Sequence, residues 1–365
     1  MVGPQLEVSA SLGSNVVIEG STGPGSLYKM VKPANWNGTL LVYAHGSTGA
    51  EDPVALPIVG ERFVNALTQE GVAVAFSSFS ESGWNIKDGA QRTHQLNGLF
   101  TSKFGQPTTT FVAGQSMGGL IAIKLAEDYP TQYAGSLPIC SVAGGTRRQA
   151  DYDANVWALF DYYYPGVLPG NAAALPPGVD WFTDIALPAV NAMYDNRSPV
   201  SKIIAITQTP VPGIDFDHQV RGIYFALGLN QFFLGSLVPN GNPYFDNAST
   251  QYTSATLPAS ELQTINAGIA RYRALPSTLN GMNNNYTPSG KLKRPMLMLS
   301  GSFDPNVPAF NQAAYLAAAT SAGSTQFLLQ RTLPSEYHCT YPFSDVVSAF
   351  HDLVQWSRTG VKPAT

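Results

Sequence analysis

Two rhythms of apolar positions alternate along this chain, and a long stretch in its middle follows neither. Residues 6–12 alternate apolar and polar, and 15–19 and 27–31 are further short runs, all consistent with strands that turn one face to a core. Residues 38–44 are almost continuously apolar. Such a run predicts a strand covered on both faces, as parallel sheets require. Strand and helix patterns then alternate: helical spacing over 60–70 (Phe63, Val64, Leu67), a strand over 72–76, a helix over 86–103 and a strand over 109–113. A helix over 117–128, stopped by Pro130, and a strand over 134–140 continue the series. Strands separated by helices define an α/β class with a mostly parallel central sheet and helices on both faces.

Between 141 and 290 the rhythm breaks. The stretch is rich in Pro, Asn, Tyr and Phe, with aromatic clusters at Trp157/Phe160/Tyr162/Tyr163/Tyr164, Trp181/Phe182 and Tyr224/Phe225/Phe232/Phe233, and it shows at least one clear helix, over 261–273. Alternation returns with a strand over 295–299, a helix over 311–322, a strand over 325–330 and a helix over 343–358. The expected organisation is an α/β core, residues 1–140 and 291–365, interrupted by an inserted cap or lid over 141–290. No internal repeat is evident.

The segment Gly114-Gln115-Ser116-Met117-Gly118-Gly119 falls between a predicted strand and a predicted helix. That context turns a common Gly-x-Ser-x-Gly pattern into a nucleophile elbow, where a tight turn lifts the serine hydroxyl above the sheet. In isolation the same letters would fit a glycine-rich turn with a surface serine. The helix that follows aims its N-terminus at the site, so the Met117 N–H is expected to stabilise an oxyanion. A second donor is expected from the loop after 38–44, where His45-Gly46 turns the backbone and offers the Ser47 N–H.

A serine hydroxyl needs a base. Of His45, His94, His218, His338 and His351, only His338 falls in a loop after the last strand and before the last helix. The supporting acid is expected after the penultimate strand, where Asp304 precedes Pro305 and is held in an extended or turn conformation. Glu336 is the rival, but it lies too close to His338 in sequence. The order Ser116, Asp304, His338 is the order of a strand-to-helix elbow hydrolase.

Composition narrows the setting. The chain has 365 residues, a formal net charge of -4 and only 12% charged residues, with no basic cluster of the kind a nucleic-acid partner requires. No apolar run approaches the roughly 20 residues of a membrane span. Low charge and many polar neutral residues suit a secreted or periplasmic protein whose leader has been removed; a cytoplasmic protein is the alternative, since residues 1–5 carry no leader pattern. Cys140 and Cys339 are too few for a zinc site, and no cofactor or metal is called for. The oligomeric state is left open.

Residues 38–145 and 291–358 resemble the α/β-hydrolase superfamily. The ending, with His338-Cys339, the run from Phe350 to Trp356 and Thr359-Gly360, is similar to secreted bacterial carboxylesterases. Tannase and feruloyl-esterase-like enzymes also place a cysteine directly after the catalytic histidine. Their partner cysteine directly precedes the nucleophile, whereas Gln115 holds that place here. The resemblance implies a Ser-His-Asp enzyme that cleaves a carboxylic ester, apolar or aromatic, through an acyl-enzyme. The same triad would serve a tannin-type ester, lactone, thioester or peptide, and a non-catalytic binding scaffold is the reading of a different class. Beside it stands a Cys140–Cys339 disulfide pinning the His338 loop near Ser116; two buried free thiols are the alternative.

Overall fold

The computed structural model describes residues 14–213, 215–237, 243–284 and 286–364, and the run at 6–12 lies outside them. Among the described residues the strands are β1 (Val16–Thr22), β2 (Ser26–Lys32), β3 (Thr39–Ala44), β4 (Ala73–Ser77), β5 (Thr109–Gln115), β6 (Gly135–Ile139), β7 (Met296–Gly301) and β8 (Leu328–Leu333). They form one sheet in the order β1-β2-β4-β3-β5-β6-β7-β8. β2 pairs antiparallel with β1 and β4, and every other pairing is parallel.

Alternation within each strand decides which helix it meets. Leu40, Val42 and Ala44 of β3 turn to the face covered by α2 (Ile86–Phe104) and α3 (Met117–Asp128), while Leu41 and Tyr43 turn to the other. That opposite face is covered by α1 (Ile58–Leu67) and by the last helix, Phe343–Thr359, through Phe63, Phe350, Leu353 and Trp356. Each such Val, Leu or Phe contributes roughly 1.5–3 kcal/mol on burial. Helices on both faces explain why β3, β4 and β6 are buried along their whole length.

The chain reverses direction across the sheet at β3. From β3 it moves to β4 on one side, then crosses to β5 on the other, so the connections leaving the carboxyl ends of β3 and β5 run to opposite sides. A crevice at such a switch point is where open α/β sheets hold ligands. Ala44 and Gly114 are paired there, at the ends of the two strands.

Between β6 and β7 the described chain is largely helical. It contains α4 (Thr146–Tyr163), a π-helical turn (Trp181–Ala186), α5 (Leu187–Asp195), α6 (Ser198–Thr207), α7 (Phe216–Leu237), α8 (Ala259–Gly268) and α9 (Pro276–Asn284). α7 packs on α4 and α6, and buried residues of α4 and α7 join the same apolar cluster as α2 and α3. Glu127 on α3 receives the returning chain: its carboxylate accepts from Tyr286 Oη, the Ser289 amide and hydroxyl, the Gly290 amide and Tyr315 Oη. Tyr315 lies on α10 (Phe310–Ser321), and Phe343–Thr359 is α11.

Two expected boundaries move. The helix expected over 261–273 ends at Gly268, because Arg271 instead donates to the carbonyl oxygens of Asn247, Thr250 and Asn266 and holds that stretch extended. The last strand starts at Leu328, since Thr325–Phe327 form a 3-10 turn.

Candidate active site

β5 ends at Gln115 and α3 begins at Met117, leaving Ser116 alone in the turn with φ 58° and ψ −119°. This conformation is rare for a residue with a side chain and is kept only where the surroundings impose it. Here they do. A Cβ on Gly114 would sit 1.9 Å from the Gly118 carbonyl oxygen, and one on Gly118 would sit 2.1 Å from the Ala44 carbonyl oxygen. Two strand ends and a helix start therefore meet with no room for side chains, and Ser116 is driven outward. Its amide donates to Ile139 O at 2.9 Å, tying the turn to β6.

Met117 is the first residue of α3, so its N–H has no acceptor within the helix and lies at the positive end of the helix dipole. The loop after β3 approaches from the other side. A Cβ on Gly46 would lie 3.3 Å from Ser116 Cβ and 4.0 Å from its Oγ, which brings the Gly46–Ser47 backbone beside the hydroxyl. His45 braces this loop: Nδ1 donates to Gly46 O at 2.6 Å, and the ring stacks on Phe79 with centroids 3.8 Å apart. Burial pushes the His45 imidazole pKa down, so the brace is neutral.

His338 and Asp304 meet as the sequence suggests. His338 Nδ1 lies 2.7 Å from Asp304 Oδ2. Asp304 is only 3% exposed, and its other oxygen, Oδ1, accepts from the amides of Asn306 at 3.0 Å and Val307 at 2.9 Å. An ionised carboxylate held this way takes the Nδ1–H and leaves Nε2 with its lone pair free. Beneath the acid loop, Gln149 of α4 donates to Asn306 O at 2.8 Å and accepts from Asn311 Nδ2 at 2.9 Å. Nothing in the spacing of Gln149, Asn306 and Asn311 along the chain foretells this support.

Cys140 and Cys339 form a disulfide with Cα atoms 5.5 Å apart. Since Cys140 follows Ile139, the acceptor of the Ser116 amide, the crosslink couples the nucleophile turn to the residue next to His338. The sulfurs are joined to each other and offer no thiolate to a metal. Among the described residues no hydrogen bond joins Ser116 Oγ to His338; the Nε2 atom lies 3.5 Å from Cys339 Sγ. The Asp304–His338 contact is thus closed and the Ser116–His338 contact open.

The competing residues lie elsewhere. His94 bonds Tyr133 Oη at 3.0 Å, His351 lies 2.6 Å from Glu70, and His218 lies 3.0 Å from Asp215. Glu336 faces His218 at 3.8 Å rather than His338. Tyr337, next to His338, accepts from Arg221 on α7, whose guanidinium also stands 4.9 Å from the centre of that ring.

The topology and the elbow define the class: this is an α/β-hydrolase fold. Residues 53–189, which include the Ser116 turn, match the Esterase family model, described as "Putative esterase". No curated protein matches the chain. Among solved structures, feruloyl esterase B from Aspergillus oryzae is similar over 96% of this chain and 81% of its own, with 12% identity and a TM-score of 0.52. An esterase from Aspergillus oryzae is similar over 96% of this chain and 80% of its own, with 12% identity and a TM-score of 0.50.

Proposed function

We propose that the chain is a serine carboxylic ester hydrolase working through an acyl-enzyme. The observation that carries this reading is the closed Asp304–His338 pair at the same sheet edge as the strained Ser116 turn. Ser116 Oγ attacks the ester carbonyl carbon as His338 Nε2 takes its proton. The carbonyl oxygen becomes an oxyanion that accepts from the Met117 and Ser47 N–H groups. Collapse breaks the bond to the alcohol, which leaves with the proton from His338. Water, deprotonated by the same imidazole, then releases the acid and restores Ser116. Asp304 holds the tautomer and stabilises the imidazolium without taking the proton.

The helical segment over 141–290 acts as a cap over this edge, with Arg221 of α7 touching the His338 loop. A disulfide fits a secreted or periplasmic setting; among the described residues no helix is long and apolar enough to cross a membrane. The test is a serine-directed phosphonate together with Ser116→Ala. Wild type is expected to gain one phosphonyl group on the peptide holding Ser116 and to hydrolyse 4-nitrophenyl acetate, and the variant to lose both. Equal turnover by the two proteins would refute the assignment.

A further inference from the structure

α7 is not simply a roof. Arg221, Tyr224, Gly228, Gln231 and Gly235 recur at three- and four-residue steps, so they share one helix face. At its start this face touches the His338 loop through Arg221 and Tyr337. Further along, it walls a cavity of about 600 Å³ whose other sides include Gly49 and Ala50, just past the Ser47 loop, and Asn306, two residues after Asp304. Trp181, Tyr224, Phe225 and Phe232 give that cavity an aromatic, apolar lining. A second cavity of about 320 Å³ is lined by Leu175, Pro176 and Leu234, and the two share Gln231 and Gly235 in their walls.

Gly228 and Gly235 shape this wall of the helix in different ways. Neither adopts a positive φ, so the backbone does not require glycine at either place. Instead Gly228 lets the Trp181 indole pack against the helix, and Gly235 leaves bare helix beside both cavities. A Cβ on Gly228 would come within 3.2 Å of the Trp181 indole, and one on Gly235 would meet nothing within 4 Å among the described residues. From Tyr224 to Gly235 the helix rises roughly 16 Å. At the junction of the cavities Gln231 Nε2 donates to Val179 O at 3.3 Å, forming a polar strut across the path.

From these observations we infer that the trench beneath α7 is an acyl-binding site for a long unbranched alkyl chain, with Gln231 and Gly235 setting the length it accepts. The inference rests on the proposed ester hydrolysis and names its substrate class. Neither cavity is lined by Ser116 or by the 334–341 loop that the leaving oxygen must face. Gly49 and Ala50, just past the Ser47 loop, set the first cavity beside the expected oxyanion donor, and we assign that side to the acyl chain. An aromatic acyl group would fill the first cavity and leave the second unused; an extended chain occupies both.

The test compares 4-nitrophenyl acetate, octanoate, dodecanoate and benzoate, which keep the leaving group constant. Each methylene desolvated in the trench is expected to raise kcat/KM by up to about fourfold. Octanoate should therefore exceed acetate by at least about tenfold in wild type, and exceed benzoate. Gly235→Leu places a side chain in the open space and should lower the dodecanoate-to-octanoate ratio by about tenfold. Gln231→Ala removes the strut and should raise that same ratio. A flat chain-length profile, a preference for benzoate, or ratios unmoved in both variants while thermal unfolding shows them folded would overturn the inference. Failure of wild type to hydrolyse any of the four, or equal turnover by Ser116→Ala, would instead overturn the proposed hydrolysis itself.

Discussion

The carboxyl edge of the sheet and the helical segment between β6 and β7 satisfy their buried carboxyl groups to different degrees. At the sheet edge both oxygens of Asp304 have donors. Asp304 receives two amides and an imidazole N–H, and the Ser116 turn is locked by strand ends on both sides. In the helical segment Asp153 is fully buried and has a single donor, Gln149, while its Oδ1 has no partner among the described residues. Burial drives the Asp153 pKa well up, pushes Asp161 up to about 7, and pushes Asp151 up to about 6 against the opposing pull of Arg147. A buried carboxyl short of donors answers to its surroundings by holding a proton, so pH reaches the helical segment through these groups.

The contrast can be broken most severely at its matched end. Asp304→Asn keeps the shape but reverses the hydrogen-bonding sense toward His338 Nδ1, and kcat/KM for an activated ester is expected to fall by about 10⁴-fold. Replacing both Cys140 and Cys339 by serine frees a loop spanning 199 positions and should cost up to about 5 kcal/mol, read as a lower denaturant midpoint. Wild type in reductant should approach the same midpoint. Glu127→Gln weakens the carboxylate that receives the returning chain, with an expected loss of about 2 kcal/mol in the same measurement. The smallest effect sharpens the unmatched end. Because the Asp161 pKa is raised in the folded protein, that form holds a proton between pH 3.8 and about 7 that the unfolded chain has given up. Its contribution is complete below that window and disappears as pH rises through about 7. Asp161→Asn should therefore flatten the fall in midpoint between pH 5 and pH 8; an unchanged slope would show that other groups set it.

The sheet was readable because its signals are local. A strand covered on both faces must be continuously apolar, as 39–44 is, and an elbow must have glycine where a carbonyl lies under 2.2 Å from any Cβ. The positions of Ser116, Asp304 and His338 follow from which strand each one trails. The helical segment was far less legible. α7 is 22 residues long and apolar on most sides, so no clean stripe betrays its period, and its functional face is marked by the absence of side chains at Gly228 and Gly235. β8 is an edge strand with only Leu328 and Leu329 buried, which blurs its start against the preceding turn. The Gln149–Asn306 contact joins residues 157 positions apart, and only the folded chain reveals it.

The link between Cys140 and Cys339 also has a topological consequence. It closes a covalent ring containing all of the helical segment, β7, the acid loop and β8. A protease that cuts once within that ring cannot separate the products. The nicked protein should migrate as a single band until thiols are added, then as two, and Ser116 and His338 should stay on one molecule throughout.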